Sequence, residues 1–474
     1  MQDANEQADG ATLRERVQRL APSPRCIADT GLGETLLAEL LCKHLLDAGA
    51  LDLPRMASRL RLPGIVLDEV LNGLRQDGRI EVLGQRQGQT LRYGLTERGR
   101  EATRDALQRS GYLGPAPFAV DAYRSLLRLQ TVYASRVDRQ AIREAMRDVV
   151  LSDDMLDRLG VALNSNRALM LYGPPGTGKT FIASRLIRLF EEAIWVPHAI
   201  AIDDAVVPIY DAQIHRRLED DATRNNLLLG EGIDRRLACC LRPQLRVGGE
   251  LGMDQLDIRH DPVARLFHAP LQLKAANGLF VIDDLGRQRM PPEQLFNRWI
   301  VPLEEREDFL NLGGGRHCSL PFDVLLVFST NFDPLDLADG AFLRRIGHKL
   351  HFGHPDAQAF ERIWRMESTR LHIDFDPALL AYVLNELYAP SGMPLSPCHP
   401  RDLLNMACDR RRYFHGAGGP RCEDLAWAWQ NYFIQHETEQ GERPWARAAS
   451  ASSHFRCCSD SAQPGSPTTG STAV

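Results

Sequence analysis

Gly173 to Thr180 read GPPGTGKT, the pattern GxxxxGK[ST], set between the apolar run ALMLY and the helical run FIASRLIRLF. A strand that turns into a helix through three glycines has few folds open to it. Glycines let backbone N–H groups crowd a compact anion at a helix N-terminus, an approach that bulkier side chains would block. The β- and γ-phosphates of a nucleotide carry charge of that density. Only four lysines occur, Lys43, Lys179, Lys274 and Lys349, among 56 basic residues, so the placement of Lys179 in this run is informative. Its ammonium is expected on the β/γ oxygens, and the Thr180 hydroxyl on the Mg²⁺ that bridges them. Gly173, Pro174, Pro175, Gly176, Thr177, Gly178, Lys179 and Thr180 are therefore the expected ATP-binding loop.

Further along, LFVIDDLG feeds four apolar residues into Asp283 and Asp284 at the end of a predicted strand. Asp283 is expected to hold Mg²⁺, and Asp284 to orient and polarise the attacking water. A solvent-exposed acidic turn is the competing reading of the pair, and the upstream loop argues against it.

The 474 residues are too many for one ordinary domain. With 44% hydrophobic and 25% charged residues, the chain reads as globular, and its net charge of -6 supplies no global field for nucleic acid or an anionic membrane. The start, MQDANEQADG, has acidic residues where a signal peptide needs basic ones, and no apolar run is long enough to span a bilayer, so a cytoplasmic protein with no membrane insertion is expected. Ten scattered cysteines lack a CxxC pair, which argues against disulfides and structural zinc.

Residues 1–29 read as a flexible N-terminal extension. Over 30–110 three helical stretches, beginning with ETLLAELLCKHLLDAG, precede two strand-like runs, RIEVLG and TLRYGLT, and a helix that Thr96 caps. GYLGPAPF at 111–118 has the Gly and Pro content of a linker. From 119 to 437 helical periods alternate with buried-looking strands, as in a helix-flanked parallel sheet. The tail at 438–474, ending SDSAQPGSPTTGSTAV, is too polar to bury a core and reads as disordered.

These motifs, taken in order, resemble an AAA+ ATPase module: an α/β P-loop parallel sheet over 119–355, an α-helical lid over 356–437, and in front of them a small α+β domain similar to a winged helix. The resemblance implies further roles. FSTN at 328–331 resembles sensor 1 and places Asn331 near the γ-phosphate and the lytic water. AFLRRIGHKLHF at 341–352 resembles the segment bearing the arginine finger, implying Arg345, with Arg344 as the alternative, in a neighbouring subunit's site. HPRDLLNMACDRRR at 399–412 resembles the sensor 2 helix, with Arg401 turned to the nucleotide. A plain turn-capping role for Asn331 and solvated surface positions for the arginines are the competing readings. The glycine-turned strands of 305–331 resemble the pre-sensor 1 hairpin, and VGGELGMDQLDIRHDPVARLFHAP at 247–270 resembles the helix 2 insert of MoxR-like and magnesium-chelatase-like members. Two departures stand out. Asp284 replaces the usual glutamate, shortening the carboxylate by one methylene, and the activator-loop motif GAFTGA is absent.

The expected function is hydrolysis of ATP to ADP and phosphate, with ATP and Mg²⁺ as cofactors, by a homo-oligomeric ring such as a hexamer that remodels a protein client. Two alternatives stay open. One is a DNA-associated regulatory or recombination-related ATPase; the other is a slow-turnover nucleotide switch. The winged-helix-like region favours protein docking over DNA, since its third helix carries Asp68 and Glu69, with Arg75 near its end and Arg79, Arg86 and Arg92 in the wing.

Overall fold

The computed structural model describes residues 12–83, 91–134, 136–218, 232–313, 315–416 and 418–433. The expected tail at 438–474, Arg86 and residues 1–11 lie outside the described residues. Contacts group the chain into two units, one of residues up to Pro175 with Lys179–Phe352, the other of Gly176–Gly178 with the residues from Gly353 onward.

Residues 12–29 are packed rather than flexible. A capping box at Thr12 and Glu15 starts α1 (Leu13–Leu20), and Val17 is fully buried in a cluster that includes Tyr123 and Leu126. Then follow α2 (Glu34–Ala48), β1 (Ala50–Asp52), α3 (Leu53–Leu60), α4 (Gly64–Gln76), β2 (Ile80–Leu83), β3 (Arg92–Leu95) and α5 (Glu97–Arg109). The strands form an antiparallel sheet in the order β1-β3-β2, and the helices bury Leu37, Leu41, Leu45, Met56, Leu60 and Val66. The Thr96 hydroxyl accepts from the Gly99 amide and caps α5, as its position predicts.

The segment 111–118 is also pinned. Tyr112, Ala116 and Phe118 are buried, and the Ala116 amide donates to the Leu60 carbonyl at 2.9 Å. It runs into β4 (Phe118–Ala119), α6 (Val120–Leu129), α7 (Arg139–Ala145) and α8 (Asp153–Leu163).

The sheet that carries the nucleotide motifs comes next. Its strands are interleaved with others: β5 (Leu169–Tyr172), β6 (Ala193–Pro197), β7 (Ala199–Ile202), β8 (Ala205–Pro208), β9 (Leu237–Leu241), β10 (Gln244–Val247), β11 (Arg259–Asp261), β12 (Leu266–His268), β13 (Leu279–Ile282), β14 (Glu307–Gly313), β15 (Arg316–Pro321), β16 (Leu325–Thr330) and β17 (His348–His351). Helices α9 (Lys179–Arg185), α10 (Leu271–Lys274), α11 (Pro292–Glu305), α12 (Pro334–Leu337) and α13 (Gly340–Leu343) lie between them. Five strands pair in parallel in the order β10-β13-β16-β5-β17. The three inner strands β13, β16 and β5 are apolar at nearly every position because both faces are covered, whereas the edge strands β10 and β17 carry Gln244, Arg246, His348, Lys349 and His351. Leu169, Leu171, Val281 and Val327 pack on one face with Ile182 of α9, and Met170, Phe280, Ile282 and Phe328 pack on the other with Trp299 of α11. Separate from this sheet are the antiparallel pairs β6–β9, β11–β12 and β14–β15 and a small sheet in the order β4-β7-β8, in which β4 runs parallel to β7.

The second unit is helical: α14 (Ala357–Arg370), α15 (Pro377–Tyr382), a wider-wound stretch Val383–Tyr388 leading into α16 (Ala389–Ser391), α17 (Cys398–His415) and α18 (Cys422–Tyr432). Its core joins Phe360, Trp364, Val383, Leu403, Leu404, Leu425 and Trp429. Among the described residues, no helix is long and apolar enough to cross a membrane.

Candidate nucleotide-binding site

The parallel strands end together and set the motifs side by side. After β5 the backbone takes positive φ at Gly173 (137°), Gly176 (78°) and Gly178 (84°), conformations that L-residues rarely adopt. A Cβ at Gly173 would lie 2.2 Å from the Phe352 carbonyl oxygen, so only glycine fits that close approach. Lys179 opens α9 with 5% of its surface exposed, and its Nζ donates to the carbonyls of Gly173 at 2.9 Å and Pro174 at 2.7 Å. Burial pushes its pKa down, and the charges of Asp284 and Asp283 oppose that shift.

Asp283 follows β13 directly, and its amide donates to the Val247 carbonyl at 2.7 Å, fixing where the strand stops. The Thr180 hydroxyl donates to Asp283 Oδ1 at 2.7 Å, so the loop threonine and the first acid meet. Asp284 is exposed and takes φ +49°, the left-handed region that aspartate tolerates better than most side chains. Strand β16 lies between β5 and β13, and the residue after it, Asn331, donates through Nδ2 to Asp284 Oδ1 at 3.1 Å. Five residues from three chain segments, Lys179, Thr180, Asp283, Asp284 and Asn331, thus form one constellation.

Sequence reasoning missed two groups that hold it. Gln288 Nε2 donates to the carbonyls of Asp283 at 3.0 Å and Asp284 at 3.1 Å, while its Oε1 accepts from the Gly286 amide. The Thr330 hydroxyl donates to the Leu285 carbonyl at 2.8 Å, and the Leu285 amide donates to the Ser329 carbonyl. Gln288 stands between Arg287 and Arg289, and nothing in that polar run marks it out.

The arginines differ from one another. Arg344, at the end of α13, is exposed. Arg345 has a side chain only 12% exposed, forms a 2.7 Å ion pair through Nε with Glu304 of α11, and donates from Nη1 to the Ala341 carbonyl. In the second unit, Arg401 near the start of α17 donates from Nε to Asp402 Oδ1 at 2.9 Å, a bond that raises its pKa.

The glycine-turned hairpin is β14–β15, with Phe309 55% exposed. Residues 247–270 hold the β11–β12 hairpin, and its turn is tied down: the Gly111 amide donates to the Arg265 carbonyl at 2.9 Å, and Arg265 Nη1 to the Leu107 carbonyl at 3.3 Å.

Residues 145–198 match the family described as magnesium chelatase, subunit ChlI, and residues 356–431 match a domain of unknown function, DUF8689. No curated protein matches the chain. Among solved structures, the RuvB Holliday junction branch migration motor of Thermotoga maritima is 12% identical, covering 59% of this chain and 69% of its own with a TM-score of 0.33. NtrX from Brucella abortus in complex with ADP is 14% identical, covering 72% of this chain and 68% of its own with a TM-score of 0.36. The ChlI match spans β5 and the glycine loop, and Asp283 at the end of β13 meets Thr180, so fold and site define an α/β P-loop sheet that resembles the AAA+ module. Within that class, the matched segment is similar to the magnesium chelatase subunit.

Proposed function

We propose that the chain binds ATP with Mg²⁺ and hydrolyses it to ADP and phosphate, as an oligomeric machine that remodels a protein client. The observation that carries the reading is the meeting of Thr180 with Asp283 and of Asn331 with Asp284, each by one hydrogen bond at the ends of neighbouring strands. Two hard oxygen donors within 2.7 Å suit magnesium, so Thr180 and Asp283 are the residues to hold it. When bound, that ion neutralises charge on the phosphate oxygens. Lys179 grips the β/γ-phosphates, and the loop amides around Gly176 and Gly178 donate to them. Asp284 accepts a proton-bearing hydrogen bond from the attacking water, and Asn331 fixes the carboxylate that does so.

Assembly follows from the arginines. We assign the neighbour-directed role to the Arg344–Arg345 pair: Arg344 is exposed, whereas Arg345 must leave Glu304 to reach out. Arg401 is proposed as the lid's contribution, and the lid as 356–437. For residues 30–110, the order of α2 to α4 and the β1-β3-β2 sheet support the winged-helix reading. Glu69 of α4 accepts from the Ile27 amide at 2.9 Å, which favours packing over contact with DNA.

The test is phosphate release by the purified chain and its Asp284→Asn variant. The variant is expected to retain ATP and to lose turnover about a hundredfold or more. Equal release from the two chains would remove Asp284 from the reaction.

A further inference from the structure

Of the four lysines, Lys349 stands at a place that the ATP loop does not explain. It belongs to β17 and pairs in register with Met170 of β5. Its Nζ turns toward the segment before the strand and donates to the Leu343 carbonyl at 2.8 Å and the Ile346 carbonyl at 2.9 Å. Leu343 is the last residue of α13, so its carbonyl is one of those that a helix end leaves without an intrahelical partner. The residues between the two acceptors are Arg344 and Arg345. One ammonium therefore spans the turn that carries both arginines, with a charge-assisted bond at each end.

The rest of that turn is pinned from other directions. The Asp339 carboxylate accepts from the Phe342 amide at 2.8 Å and caps α13, and the Gly347 amide donates at 3.0 Å to the carbonyl of Ala168, just before β5. Phe342, Leu343 and Ile346 are buried in one cluster with Trp299 and Phe328. A guanidinium that must reach another chain needs a backbone that does not give, because a misplacement of about 1 Å near a reacting group can cost about a hundredfold in rate. Lysine suits the task better than the arginine that supplies most of the chain's positive charge. An ammonium is a compact charge with three donors that can serve two carbonyls of one tight turn, whereas a planar fork is matched to a carboxylate or a phosphate.

We propose that Lys349 is a positioning residue: it holds the turn of Arg344 and Arg345 in the place from which one of them enters a neighbouring chain's ATP site. This rests on the reading above that the sites are shared between chains. Lys349 acts through the arginines and touches no phosphate itself. Its replacement leaves the Lys179 loop and the Thr180–Asp283 bond of the same chain intact, so the loss falls on the next chain's ATP.

The experiment uses Lys349→Met in the full chain, which keeps most of the side chain's length and removes its donors. Phosphate release by the pure variant should fall about tenfold or more, with the Kd for ATP in calorimetry unchanged. Mixed with Lys179→Ala chains it should recover turnover, since the variant brings the intact loop and its neighbour the intact turn. Mixed with Arg344→Ala/Arg345→Ala chains it should not recover, since neither turn is then intact. A weakened Kd, turnover equal to the parent's, no recovery with Lys179→Ala, or equal recovery in both mixtures overturns the proposal. The double arginine variant mixed with Lys179→Ala is the control. Without recovery there, in confirmed mixed assemblies, the shared site itself fails; recovery there and none with Lys349→Met removes the brace alone. If Lys349→Met does not fold, Lys349→Gln, which keeps a neutral donor, must give the same pattern of recovery with a smaller fall for the role to stand.

Discussion

Lys179 combines two opposed demands: it is buried, which disfavours its charge, and it lies in the field of two carboxylates, which favours it. A triphosphate adds to the second influence. Lys179→Ala should therefore raise the Kd for ATP about a hundredfold, roughly 3 kcal/mol, in a calorimetric titration. His198 gives a separate test. Burial and the neighbouring Arg61 and Arg217 push its pKa from 6.5 down to about 4. The unfolded chain takes up a proton near pH 6.5 that the folded chain refuses until about pH 4, so stability is complete above the higher value and falls as pH drops between the two. The loss is about 3 kcal/mol at most, and His198→Gln should remove it from the pH dependence of urea unfolding. At this scale the sequence was most legible where chemistry demands rare types at fixed spacing, as in GPPGTGKT and the acid pair. Gln288 and Thr330 were invisible because they act through backbone carbonyls that only the folded turn brings to them.

Strand order explains why the elements converge. Because β16 separates β5 from β13, Asn331 emerges between the loop and the acids, and a shift of β16 moves Thr330, which braces the acid turn, together with it. Gly173→Ala should be felt at the sheet edge, where its Cβ meets the Phe352 carbonyl just after β17. The cost expected in chemical denaturation is about 2 kcal/mol or more, with nucleotide affinity falling as well. Apolar runs made the core strands readable. The antiparallel pairs β6–β9 and β7–β8 were not, since pairing Ala193 with Leu241 depends on contacts far apart along the chain. The turn of the hairpin within 247–270 is bonded to Gly111 and to Leu107 near the end of α5, contacts that the sequence around it does not announce.

For the whole molecule, shared sites predict complementation. Mixing Lys179→Ala chains with Arg344→Ala chains should restore phosphate release, since some interfaces then pair an intact loop with an intact arginine; the same mixture with Arg345→Ala shows which of the two is used. Absence of recovery in confirmed mixed assemblies would count against catalysis in trans. Over the described residues of the extension and linker the anchors are scattered along the chain: Val17 enters the core through Tyr123 and Leu126, and Arg236, 2% exposed, donates from Nη1 to the carbonyls of Thr30 at 2.9 Å and Pro117 at 2.8 Å. Arg236→Ala leaves Asp234 buried without its partner and should cost about 3–5 kcal/mol in thermal or urea unfolding. That arginine also sets a limit on dissection. Trimming the gene to begin at residue 119 would strip away both acceptor carbonyls and leave Nη1 of this buried guanidinium without them, so a piece that keeps the interior intact has to keep its front end.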